Sequence, residues 1–173
     1  MLGDSLAVSP TPDQSFPSRL AAMITAAALT ETMTNGGVSG DTTADGLRRV
    51  DALLSPDVGV LILELGANDG LRGLATATID ANLASIVTLA QQRRIRVLLC
   101  GMETPPTHGL DYSLAFHAVF PSVARRFSLP LVPFLLAGVA LDPALNGPDG
   151  VHPNAEGAQK IADTIWPYLR PML

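Results

Sequence analysis

A single cysteine, Cys100, stands in a chain of 173 residues. One thiol cannot close an internal disulfide, and it cannot build a metal site that needs several cysteines. Charge is also scarce: Asp, Glu, Lys and Arg make up 16% of the chain, where about 25% is usual for soluble domains. The net charge is -5, so no basic face is available for nucleic acid or an anionic lipid surface. Low charge with a mean hydropathy of +0.31 raises the question of a membrane span. The longest uncharged stretch, Phe127 to Leu141, holds Pro130 and Pro133 and falls short of the roughly 20 apolar residues that a span requires. The opening Met1-Leu2-Gly3 lacks the basic start and long apolar run of a secretory signal. Repeats, low-complexity tracts and Gly/Ser linkers are missing too, which predicts one domain over residues 1–173.

What is present is an alternation of strand-length apolar runs with longer amphipathic segments, the pattern of a parallel sheet covered by helices on both faces. Val58 to Leu65 and Ile95 to Met102 are the clearest strands, with Thr30 to Asn35 and Leu129 to Pro133 as weaker ones. Helices are predicted over Pro17 to Leu29, Thr42 to Leu54, Thr76 to Arg94, Tyr112 to Phe127 and Ala155 to Leu169. Thr42 with Asp45 three residues on reads as a capping box. Ile79, Leu83, Ile86, Val87 and Ala90 form one apolar stripe suited to a sheet face. Order and length together predict a doubly wound α/β fold.

In such a fold ligands bind at the carboxyl ends of the strands, so the polar residues after each strand are the ones to inspect. Four blocks stand there: Gly3-Asp4-Ser5-Leu6, Ser39-Gly40-Asp41-Thr42, Gly66-Ala67-Asn68-Asp69 and Asp149-Gly150-Val151-His152-Pro153-Asn154. They supply a hydroxyl, an imidazole, a carboxylate, a side-chain amide and glycine backbone, the parts that acyl transfer through a serine requires. A serine hydroxyl needs a base within hydrogen-bond reach, and His152 is the best placed of three histidines. Asp149, three residues before it, is spaced to hold the imidazole in one tautomer. Asn68, Gly40 and the Ser5 N-H are candidate donors to a developing oxyanion. Asp4, Asp41 and Asp69 read as loop and cap residues, Cys100 as a small buried residue, His117 as structural or solvent-facing, and His108 as bordering the substrate at most. Leu71, Arg72, Leu110 and Tyr112 are candidates for lining the cleft.

The four blocks, in this order, resemble those of the SGNH/GDSL hydrolases. Glu64 to Gly73 and the closing Asp149 to Asn154 are similar to the bacterial arylesterase and thioesterase/lysophospholipase group in particular. That resemblance implies a flavodoxin-like three-layer sandwich, with Ser5 as nucleophile, Asp149 and His152 completing a triad, and Ser5, Gly40 and Asn68 forming the oxyanion hole. It implies hydrolysis of short- to medium-chain acyl esters, aryl esters, thioesters or lysophospholipids, with no metal, no cofactor, and a small acyl ester or thioester as the partner molecule. There is no G-x-S-x-G, which sets the nucleophile-elbow hydrolases aside. A carbohydrate acetylesterase of the same fold is the nearest alternative. A metallophosphoesterase lacks paired-histidine spacing here, and a catalytically dead binding protein would not keep every expected group. Relatives of this kind carry a longer apolar strand before Gly-Asp-Ser, so a truncated first strand is expected. A periplasmic or secreted location follows from the resemblance, and a cytoplasmic one if Met1 is the true start.

Overall fold

The computed structural model describes residues 1–173. Five parallel strands run in the order β2-β1-β3-β4-β5: β1 (Leu2–Gly3), β2 (Gly36–Gly37), β3 (Val60–Glu64), β4 (Arg96–Cys100) and β5 (Leu131–Val132). Leu61, Ile62 and Leu63 are successive residues of β3, and all three are buried. A strand whose alternate side chains are all excluded from water has both faces covered, as parallel sheets demand. The helices that cover it are α1 (Phe16–Ala26), α2 (Thr43–Arg49), α3 (Ala67–Leu71), α4 (Thr76–Gln92), α5 (Leu110–Phe127) and α6 (Ala155–Leu169). α1 packs on α6, while α4 packs between α2 and α5.

The local signals explain most boundaries. Thr42 and Asp45 form the reciprocal capping box that starts α2. The stripe Ile79, Leu83, Ile86, Val87 and Ala90 is the buried face of α4. α6 matches its expected span, starting where the Asn154 side chain accepts the N-H groups of Glu156 and Gly157.

Two expectations need correction. Thr30 to Asn35 is not a strand; pairing begins at Gly36, opposite Leu2. The helix expected to run from Thr42 to Leu54 stops at Arg49 and tightens into a 3-10 turn over Val50–Leu53. The short α3, with Gly70 in it, was not foreseen. The first strand is the short one expected, two residues long: Leu2 and Gly3 pair with Leu63 and Glu64 on one side and with Gly36 and Gly37 on the other. Beyond the amino end of β1 a cavity of about 540 Å³ lies between residues 30–34, the start of β3 and the C-terminal Leu169. None of the four polar blocks borders it.

Candidate active site

The strand order reverses direction beside β1, which has β2 on one side and β3 on the other. At such a switch point the segments leaving neighbouring strands diverge and open a crevice at their carboxyl ends. Ser5 leaves β1 there in a 3-10 turn, Ser5–Val8, capped by the Asp4 carboxylate accepting the Leu6 N-H at 3.0 Å. Gly40 follows β2 at a φ of +84°. A Cβ at Gly40 would meet nothing closer than 3.9 Å, so conformation and not space calls for glycine at this position. Asn68 follows β3 in the first turn of α3. The cleft between them is lined by Ser5, Ser9, Ser39, Gly40, Asn68 and His152, without one apolar side chain.

His152 arrives from the segment before α6. Its carbonyl accepts the Gly147 N-H at 2.8 Å, and the Asn154 amide ties the same segment to Ala144. Its Nε2 lies 2.9 Å from Ser5 Oγ, across 147 residues of sequence. Its Nδ1 lies 2.6 Å from Asp149 Oδ2. The other Asp149 oxygen accepts the N-H groups of Val151 and His152, each at 3.0 Å. The His152 hydrogen bond, with these backbone donors, holds the Asp149 carboxyl well below the usual carboxylate range. Both side chains are open to water, 39% exposed for His152 and 52% for Asp149, so screening leaves orientation and tautomer selection as what Asp149 provides.

On the oxyanion side, the Ser5 and Gly40 N-H groups donate to no protein acceptor. Asn68 Nδ2 sits beside them but is already engaged, 3.1 Å from Asp4 Oδ2 and 3.0 Å from the Asp41 carbonyl. None of the residues expected to line the cleft is among its six lining residues. Arg72 donates to the Gly40 carbonyl at 3.0 Å, a strut from α3 to the glycine loop. Tyr112 gives its hydroxyl hydrogen to the Leu74 carbonyl at 2.8 Å, bracing the segment after α3. Leu71 and Leu110 face solvent, 50% and 66% exposed. Ser9, which lies in none of the four polar blocks, joins Ser39 in the lining. Ser9 is one helical turn beyond Ser5 and donates to the Ser5 carbonyl at 2.7 Å, so its spacing was the available signal. His117 pairs with Glu103 on the surface, His108 meets the Leu71 carbonyl, and Cys100 is fully buried. No three His, Cys, Asp or Glu side chains are grouped to hold a metal ion.

Residues 1–160 match the model of the GDSL-like lipase/acylhydrolase family. The esterase TesA of Pseudomonas aeruginosa is 41% identical over 140 residues, 80% of this chain and 70% of that protein. The thioesterase 1/protease 1/lysophospholipase L1 of Escherichia coli K12 is 36% identical over 140 residues, 80% of this chain and 67% of that protein. Among solved structures, the psychrotrophic esterase EstA from Pseudoalteromonas, inhibited by monoethylphosphonate, superposes with a TM-score of 0.92 at 29% identity, covering 98% of this chain and 94% of EstA. With that family matched nearly end to end and its fold reproduced, the chain belongs to the GDSL-like lipase/acylhydrolase family, whose members hydrolyse ester bonds.

Proposed function

We propose that the chain is a serine esterase acting through an acyl-enzyme on Ser5, and that it accepts short- to medium-chain acyl esters, aryl esters and thioesters. The observation that carries this reading is the continuous relay from Asp149 through His152 to Ser5 Oγ, with contacts of 2.6 and 2.9 Å. Ser5 Oγ attacks the substrate carbonyl carbon as its proton passes to His152 Nε2. The carbonyl oxygen becomes an oxyanion, met by the N-H groups of Ser5 and Gly40 and by Asn68 Nδ2, which shares a hydrogen now held by Asp4 or Asp41. Collapse of the tetrahedral species breaks the bond to the alcohol, phenol or thiol, which leaves with the proton from His152. Water then enters, gives its proton to the same nitrogen and releases the acid, so Ser5 regains its hydrogen. Asp149 keeps the Nδ1 hydrogen in place and stays ionised throughout. Only the neutral His152 ring can accept the proton from Ser5.

The polar lining of the cleft bears on chain length. A lining of Ser9, Ser39, Gly40 and Asn68 favours a short acyl group over a long apolar tail, which has no apolar side chain to bury against in the cleft. The same lining favours a second reading, an acetylated carbohydrate whose leaving sugar bonds to Ser9 and Ser39. A panel of p-nitrophenyl esters from acetate to laurate, acyl-CoA thioesters and peracetylated xylose, run with and without EDTA, separates the two. Turnover of butyrate and thioesters, unchanged by EDTA, supports the first reading. Turnover confined to acetylated sugar overturns it.

A further inference from the structure

Behind the nucleophile lie two carboxyl groups that the proton relay does not use. Asp4 follows β1, Glu64 ends β3, and the register that pairs Gly3 with Glu64 sets them side by side. Both are fully buried. Glu64 Oε2 accepts the Asp4 N-H at 3.1 Å, which brings the two carboxyl groups together in one buried site. A Cβ at Gly3 would stand 2.4 Å from Glu64 Oε2, so the glycine before Asp4 is what admits the carboxyl. Two buried carboxylates in contact cannot both carry charge, and one proton must remain between them. The donors decide where it stays. Asp4 receives the N-H of Leu6 at 3.0 Å and Asn68 Nδ2 at 3.1 Å. Glu64 receives the Asp4 N-H alone, and its Oε1 is buried with no donor.

The surrounding charges do not change this. Arg49, from α2, reaches the Gly3 carbonyl at 2.8 Å, but its Nε is paired with Asp41 at 2.6 Å. His152 faces Asp4 from the C-terminal segment, and the Cys100 thiol on β4, pushed up by burial, faces Glu64.

We propose that Glu64 is a positioning residue: it remains protonated, gives its hydrogen to Asp4, and so keeps Asp4 as the anion that fixes the Asn68 amide and the turn carrying Ser5. Burial is the main cause that raises both carboxyls, Asp4 to about 6 and Glu64 well above its ordinary range. The Asp4 carboxyl therefore gives the centre a pH requirement of its own. As pH falls through about 6, Asp4 takes up a proton, its oxygen loses acceptor strength, and the hold on Asn68 loosens.

This inference rests on the assignment of Ser5 and Asn68 above. The test is kcat and KM for p-nitrophenyl butyrate from pH 5 to 9, per active site titrated with a fluorophosphonate, in wild type, Glu64→Gln, Glu64→Leu and Asp4→Asn. Glutamine copies the protonated acid as donor and acceptor, so Glu64→Gln keeps kcat within about 3-fold and does not raise the acid midpoint. Leucine removes the donor, so Glu64→Leu lowers kcat about 10- to 100-fold at nearly constant KM. Its acid midpoint moves up by about half a pH unit or more. Should Glu64→Leu not fold, Asp4→Asn carries the test, because an amide facing Asn68 Nδ2 lowers kcat and removes the Asp4 component of the acid limb. Wild-type kcat and an unmoved midpoint in Glu64→Leu, or in Asp4→Asn where the leucine variant does not fold, overturn the proposal and leave a packing role. Ser5→Ala, assayed in parallel, separates the levels: full activity there overturns the serine mechanism itself.

Discussion

The two ends of the sheet are built to different purposes. At the carboxyl end, two residues of β1 suffice to deliver Asp4 and Ser5 between Gly40 and Asn68, and the polar side chains of four separate segments converge there. At the amino end lies a cavity of about 540 Å³ bounded by Ile24, residues 30–34, Val58 to Ile62 and Leu169. The larger hollow is therefore not where the four polar blocks meet. The difference teaches that cavity size is a poor guide to a site, whereas the convergence of donors and acceptors is a good one.

If the two ends are separable, substitutions at one should move rate and at the other stability. Ser5→Ala gives the largest expected effect, a loss in kcat of about 10⁴-fold or more with KM and melting temperature nearly unchanged. Next comes Asn68→Ala, expected to lower kcat about 10²- to 10³-fold. Leu169→Ala works at the opposite end. That side chain is 1% exposed, and its truncation should destabilise the fold by about 2 to 4 kcal/mol. The melting temperature then falls by roughly 5 to 15 °C, with kcat at 25 °C unchanged. A loss of kcat in Leu169→Ala, per titrated site, would break the separation.

A smaller effect sharpens the comparison through pH. Asp4 is raised from 3.8 to about 6, so its protonated form is the one the fold prefers. The stability it contributes is complete below about pH 3.8 and is lost as pH rises through about 6. Activity gains over the same interval, because the Asp4 anion is the form that holds Asn68. Melting temperatures of wild type and Asp4→Asn, taken from pH 4 to 7, should diverge, with the wild type losing ground to the variant as pH rises. Parallel curves would contradict a raised Asp4.

Most of the candidate site was legible in the sequence because its parts are local. Asp149 and His152 lie within one turn of each other, and Gly40, Asn68 and Ser5 each follow a strand within a few residues. β3 and β4 were legible because a strand covered on both faces is an unbroken aliphatic run. β1 and β2 were not, since Leu2–Gly3 and Gly36–Gly37 have no periodicity and become strands only by pairing with each other and with β3. The same dependence on distant partners hid the fate of Leu71, Arg72, Leu110 and Tyr112. Nothing in their neighbours foretells that Arg72 reaches back to Gly40 or that Tyr112 braces Leu74. Glu64 read as the last residue of an apolar strand, and its contact with Asp4 spans 60 residues.

The central claim is that Ser5, activated by His152, attacks the substrate. Its most direct test is treatment with a fluorophosphonate followed by peptide mapping by mass spectrometry. The account predicts one adduct, on Ser5, formed in step with loss of esterase activity and absent from Ser5→Ala. An adduct on another residue, or activity that survives complete modification of Ser5, would contradict it.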